Sequence, residues 1–269
     1  MKKMIHLLLI VAAGYIALVG FLYLMQSHMI FLPDKNVSVE PGDIGLNWED
    51  ARFETADGKR LQGWYIPNAD SRYVLLFSHG NAGNISHRLG FIEMLHERGI
   101  STFIYDYRGY GNSEGRPTEK GLHKDIEAAW NYLINELGYS SAQIVLFGRS
   151  LGGPFSAKLA TLINPGGLIL ESSFTSAKDV ASDIYPFIPT SILRFQLDTI
   201  SYLGDIEIPV LIMHSRDDEI IPYHHGEALF AAAPEPKYFT ELRGGHNDNF
   251  IASGEFYFDE LRSFLSELD

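Results

Sequence analysis

The chain is 269 residues long and 46% hydrophobic, enough for one sizeable core, and it shows no internal repeat, low-complexity tract or second-domain signal. It contains no cysteine, which excludes disulfides, thiolate metal sites and cysteine catalysis. Beyond residue 32 it carries 34 acidic residues and, with Lys2 and Lys3 set aside, 19 basic ones, a net −15 that repels nucleic acid and anionic lipid headgroups.

The first element is apolar: Met4 to Met25 is 22 residues with His6 as its one side chain able to carry charge near neutral pH. As a helix it measures about 33 Å, enough to cross a hydrocarbon core of roughly 30 Å. Lys2 and Lys3 precede it and no comparable basic cluster follows. The positive-inside tendency therefore keeps the N-terminus in the cytoplasm and sends the remainder across the membrane. Two rivals stand beside this anchor. One is a cleavable signal peptide, whose apolar run would be about 7–15 residues ending at a small-residue site; the other is a buried core helix. The expected division is an anchor over residues 1–32 and one domain over 33–269.

After a linker with Pro33 and Pro41-Gly42, strand-like and helix-like runs alternate. Arg52–Thr55 and Arg60–Ile66 flank Asp57-Gly58 as an antiparallel hairpin. Further strands are expected at Tyr73–Ser78, Thr102–Tyr105, Ile144–Phe147, Leu168–Leu170, Val210–His214 and Tyr238–Leu242. Helices are expected near His87–Arg98, at Glu119–Leu137, Pro154–Leu162 and Gly226–Ala232, and at Ile251–Leu268 to close the chain. Such alternation, with apolar strands, means a mostly parallel sheet covered on both faces. Ser172 to Asp205 interrupts it with Pro186, Pro189 and many aromatics. An insert of that size after a strand end forms either a small cap over a pocket or an irregular surface connection.

The chemistry-bearing motif is Gly148-Arg149-Ser150-Leu151-Gly152, between a strand and a helix. This is the setting of a nucleophile elbow, in which flanking glycines avoid collisions at a sharp, strained turn. The pentapeptide alone is weak, expected by chance in roughly one chain in ten of this length. A serine hydroxyl also needs a base, and the base needs an orienting acid. His246, in a glycine-bearing loop directly after the last strand, is the candidate base. The acid should follow another strand, and Asp217-Asp218 does so after Val210–His214; residue chemistry leaves the two aspartates nearly equal. Two backbone N–H groups must face the developing oxyanion. One is expected from Leu151 and the other from Asn81, in the loop His79-Gly80-Asn81-Ala82-Gly83-Asn84. His79, a second candidate base, precedes that loop and reads as a structural histidine.

Five motifs now stand in order: His79 to Gly83, Tyr105-Asp106-Tyr107-Arg108-Gly109-Tyr110-Gly111-Asn112-Ser113, Gly148 to Gly153, His214 to Pro222, and Gly245-His246. On these the chain resembles the α/β-hydrolase superfamily from about Phe53 onward. Within it, it resembles the membrane-anchored abhydrolase-domain serine hydrolases, a branch that includes eukaryotic protein depalmitoylases and bacterial relatives. The resemblance implies an eight-stranded, mostly parallel sheet with helices on both faces and a small cap over residues 172–205. It selects Asp218, four residues after His214, as the acid, and implies an Asp106–Arg108 ion pair bracing the oxyanion loop.

The expected activity is hydrolysis of a small acyl ester or thioester, including lipid or lipidated substrates, with no metal or cofactor. Cap residues Phe174, Tyr185, Phe187, Ile188 and Phe195 would favour an acyl chain. Departures are clear too. The cysteine-rich N-terminus of the eukaryotic depalmitoylases is replaced by the apolar segment, so their cytoplasmic acylated-protein substrates do not carry over. No His-Gly-Gly-Gly loop occurs, and serine at 150 argues against dehalogenase or epoxide hydrolase chemistry. Asn84-Ile85-Ser86 is a glycosylation pattern whose glycan would block the site, which favours a bacterial envelope over a secretory lumen. Two other classes remain: a peptidase or amidase on the same three residues, and a non-catalytic binding protein that keeps the fold.

Overall fold

A computed structural model describes residues 1–268; Asp269, the last residue of the expected domain, lies outside them. Eight strands form one sheet: β1 Glu49–Glu54, β2 Arg60–Ile66, β3 Val74–Ser78, β4 Ser101–Tyr105, β5 Ile144–Arg149, β6 Gly167–Glu171, β7 Val210–Ser215 and β8 Lys237–Leu242. Their spatial order is β8-β7-β6-β5-β3-β4-β2-β1, with β2 alone antiparallel to its neighbours. The helices are α1 Lys2–Ile30, α2 Leu89–His96, α3 Glu119–Asn135, α4 Gly152–Ala160, α5 Ala177–Ile184, α6 Thr199–Leu203, α7 His224–Ala232, α8 Asn249–Ser253 and α9 Glu255–Ser266.

Strand alternation divides the core in two. Leu76, Phe103, Leu146, Leu168 and Ile212 pack with Ile126, Trp130, Phe155 and Leu229 from α3, α4 and α7. Their strand neighbours Leu75, Phe77, Ile104, Val145, Phe147, Ile169 and Leu211 point the other way, onto α2 and α9. The central strands β3–β6 are buried along their whole length, hence their unbroken apolar runs. Each such large side chain contributes about 1.5–3 kcal/mol by leaving water.

The closing helix differs from expectation. It breaks into α8 and α9 at Gly254, whose φ of 55° and ψ of −135° only glycine adopts readily. A 3₁₀ turn, Ile85–Arg88, likewise precedes α2 instead of one continuous helix. After α1 the linker is ordered: Leu32 and Pro33 pair in parallel with Ala82 and Gly83 of the loop after β3.

Residues 172–205 carry α5, a 3₁₀ turn at Thr190–Ile192 and α6, and they dock against α1. Gln26, the one buried residue of α1, donates through Nε2 to the Ile192 carbonyl (2.8 Å) and accepts from the Arg194 N–H (2.8 Å). Phe31 and Phe195 meet edge to face at 5.5 Å, and the Tyr15 hydroxyl donates to the Phe187 carbonyl (2.9 Å). Residues 1–18 of the chain are exposed, five residues between Val19 and Ile30 are half-buried, and α1 is long and apolar enough to cross a membrane.

Candidate active site

β5 ends at Arg149, and the chain turns sharply through Ser150, whose φ is 50°. The glycines of the pentapeptide are required by packing. A Cβ at Gly148 would lie 2.7 Å from the Gly153 Cα, and one at Gly152 would lie 1.9 Å from the Ser78 carbonyl oxygen. Ser150 itself is pinned: its N–H donates to the Glu171 carbonyl (2.8 Å), and its carbonyl accepts from the Gly153 N–H (3.0 Å) and Ser173 Oγ (3.2 Å).

Two other loops at the same sheet edge reach Ser150. The loop after β8 turns at Gly244, with φ of 86°, and brings His246 Nε2 to 3.0 Å from Ser150 Oγ. On the far side of the ring, His246 Nδ1 lies 2.8 and 3.0 Å from the two Asp218 carboxylate oxygens. Asp218 Oδ1 also accepts the Ile220 and Ile221 N–H groups at 3.0 and 2.8 Å. Burial pushes the Asp218 carboxyl up, but the His246 hydrogen bond and charge and these two N–H groups outweigh it and hold it below the usual range. Asp218 therefore fixes the proton on Nδ1, leaving Nε2 free to accept. Asp217, by contrast, is exposed. His214, wholly buried, sits beneath with Nε2 2.9 Å from the Ile221 carbonyl, and burial pushes its imidazole toward the neutral form.

Asn81 and Leu151 line the same cavity as Ser150. A Cβ at Gly80 would lie 3.7 Å from the Ser150 Cβ, so this loop passes close beside the serine. The Asn81 carbonyl is held by the Leu32 N–H (3.1 Å) and the Tyr110 hydroxyl (2.8 Å). His79 is fully buried behind the loop, with Nδ1 2.7 Å from the Gly80 carbonyl oxygen and Nε2 3.6 Å from Asp106.

The expected Asp106–Arg108 pair does not form. The two side chains find different partners: Asp106 accepts the Ile85 N–H (3.0 Å) and faces His79, bracing the loop without Arg108. Arg108 turns instead to Asp125 (2.8 Å) and to both oxygens of Asp57 (3.0 Å each). Asn84 is also unlike its motif: its side chain is buried and donates to the Asp34 and Asn36 carbonyls, so no glycan can be attached in the folded chain.

The cavity holds about 570 Å³ and is mostly apolar. Phe174, Tyr185 and Ile188 line it as expected, whereas Phe187 is exposed and Phe195 is buried against Phe31 outside the wall. Sequence reasoning missed two contributors. Leu22, Gln26, Met29 and Ile30 of α1 form part of the wall, a role signalled by nothing but the polar Gln26 at the end of an apolar run. Arg149 ties the elbow to the base loop: its guanidinium donates to the His246 carbonyl (3.0 Å) and lies 3.3 Å from Glu171, which Tyr257 holds at 2.8 Å. Away from the cavity, Asp183 Oδ2 lies 3.1 Å from His224 Nε2 and 3.0 Å from His225 Nε2, a set that could hold a cation and that ties α5 to α7.

Residues 69–189 match the sequence model of a family described as serine aminopeptidase, S33. The chain is 34% identical over 288 residues to the alpha/beta hydrolase domain-containing protein WAV2 of Arabidopsis thaliana, covering 96% of this chain and 92% of that one. It is also 34% identical over 267 residues to an uncharacterized membrane protein of Saccharomyces cerevisiae, covering 93% and 92%. Among solved structures, a Pyrococcus furiosus esterase superposes with a TM-score of 0.74 at 17% identity, over 88% of this chain and 98% of that one, a likeness of fold.

Proposed function

The chain belongs to the α/β-hydrolase-domain family, and on that premise we propose that it is a membrane-anchored serine hydrolase cleaving carboxylic esters or thioesters through an acyl-enzyme. One observation carries the reading: Ser150 Oγ, His246 and Asp218 form an unbroken hydrogen-bonded chain of 3.0 and 2.8 Å. As Oγ bonds to the acyl carbon, His246 Nε2 takes its proton and Asp218 balances the resulting imidazolium. The Asn81 and Leu151 N–H groups hold the oxyanion, each worth about 3 kcal/mol in comparable sites. His246 then returns the proton to the departing alkoxide or thiolate, and water releases the acyl group by the same route. These steps call for no metal or cofactor.

The family description favours a second reading, an aminopeptidase acting through the same residues. That activity needs an acid to receive the substrate's ammonium group. Among the described residues the cavity wall presents Arg88 and Arg149 and no carboxylate, which supports the ester or thioester instead. The test is covalent labelling by a fluorophosphonate and hydrolysis of p-nitrophenyl esters against amino-acyl p-nitroanilides. Wild type is expected to label and to cleave the esters, with both lost in Ser150→Ala. An unlabelled wild type would point to a binding protein, and preference for the anilides to a peptidase. Lys2 and Lys3 before α1 support a cytoplasmic N-terminus with the hydrolase domain across the membrane, as in a bacterial envelope.

A further inference from the structure

The turn at residues 184–189 of the insert is apolar and uncovered: Ile184, Tyr185 and Phe187 are 48%, 37% and 64% exposed. A soluble surface gives no reason for this, but the position of the turn along α1 does. The Arg194 guanidinium lies 5.6 Å from the Tyr23 ring, a cation and an aromatic of the kind that mark a membrane–water boundary. The Phe187 carbonyl accepts the Tyr15 hydroxyl, eight residues earlier in α1 and so about 12 Å deeper along the helix. Apart from the Phe187 N–H, which has no partner among the described residues, the backbone of the turn suits an apolar medium, where an unpaired N–H is costly. Pro186 and Pro189 have no N–H, the Tyr185 N–H donates to the Ala181 carbonyl (2.8 Å), and the Ile188 N–H donates to the Tyr185 carbonyl (2.9 Å). Both elements line the cavity of Ser150, α1 through Leu22 and Met29 and the insert through Ile184 and Ile188.

We infer that the 184–189 turn is immersed in the bilayer beside α1, and that the cavity opens between them into the apolar layer. The substrate is then a membrane-resident acyl amphiphile that reaches Ser150 sideways, with its chain against Leu22 and Met29. The anchor helix is thus part of the acyl-binding wall and sets chain selectivity. The immersion stands on the insert and α1 alone; the substrate route also rests on the serine hydrolase reading.

The absence of cysteine allows a unique label on the full chain in phosphatidylcholine vesicles. An environment-sensitive NBD probe on Phe187→Cys should emit as in hydrocarbon and be quenched by doxyl-labelled lipid. The same probe on Leu162→Cys, exposed beyond α4, should emit as in water. Equal behaviour at the two positions overturns the immersion. The substrate route is read from Ser150 labelling by hexadecyl and ethyl fluorophosphonates, in which Oγ bonds phosphorus and fluoride leaves. Met29→Trp should lower the hexadecyl-to-ethyl rate ratio about tenfold, a steric effect of pocket size. Leu9→Trp, exposed on α1 and outside the wall, should leave the ratio at its wild-type value. An unchanged ratio in Met29→Trp overturns the route while the hydrolase reading stands. A wild type labelled by neither reagent removes both, and the probe at 187 still reports on the turn.

Discussion

Ser150 holds a left-handed backbone conformation that costs an ordinary residue roughly 1–3 kcal/mol, and three hydrogen bonds to Glu171, Gly153 and Ser173 hold it there. Its partner acid is equally well defined. Asp218→Asn would present the wrong hydrogen-bonding group to Nδ1, turning the ring's proton toward Ser150. Turnover of a p-nitrophenyl ester is expected to fall by about 10⁴ while binding changes little. Asp217→Asn, in solvent, should stay within twofold of wild type; equal losses in the two variants would mean the carboxylate roles are misassigned. Sequence order and the glycine pair pointed to Ser150 and His246 through local, chemical signals, and the fold brings the two side chains to 3.0 Å. The choice between Asp217 and Asp218 needed the spacing of the resembled family, since it depends on which carboxylate the turn buries. Arg108 was expected to pair with Asp106, but its partners Asp57 and Asp125 are 51 and 17 residues away, and no local pattern carries that information.

Among the elements, the strands were legible because buried parallel strands read as apolar runs between turn signals, and their edges moved by at most three residues. The closing helix divides because Gly254 adopts a positive-φ conformation that ends one helix and begins another, and a single glycine within an apolar helical pattern does not announce this. The packing of α3 on α4 offers a measurable pH effect. His123 of α3 lies 5.0 Å from the Phe155 ring of α4, and burial, then the nearby Lys158 charge, push its imidazole down to about 4. A depressed histidine keeps its contribution above the unfolded value near 6.5 and loses it as pH falls through about 4. Replacing it by phenylalanine retains the ring contact and removes the titration. The melting temperature of His123→Phe should therefore fall less than that of wild type between pH 7 and 4. Parallel pH profiles for the two proteins would show that the ring is solvated.

For the whole molecule, charge and hydropathy divide the labour. An acidic body repels anionic headgroups, while one helix is long and apolar enough to cross a membrane and the exposed apolar turn of the insert lies beside it. The orientation proposed from Lys2 and Lys3 can be read with a periplasmically active reporter such as alkaline phosphatase fused after Asp269 in a bacterial host. Activity is expected with this fusion and not with a cytoplasmic one; the reverse pattern would invert the topology. What no composition could reveal is that α1 forms part of the wall of the Ser150 cavity. An all-round apolar helix has no polar face to say which side meets protein, and Gln26 becomes informative only once its partners in the insert are known.

The short pairing of Leu32-Pro33 with Ala82-Gly83 bears on how such a protein could be regulated. A protease that clipped the chain just outside the lipid would free the body, yet it would also leave the loop beside Ser150 without its splint and the cavity without one flank. On the proposed membrane-anchored reading, shedding would consequently act as inactivation.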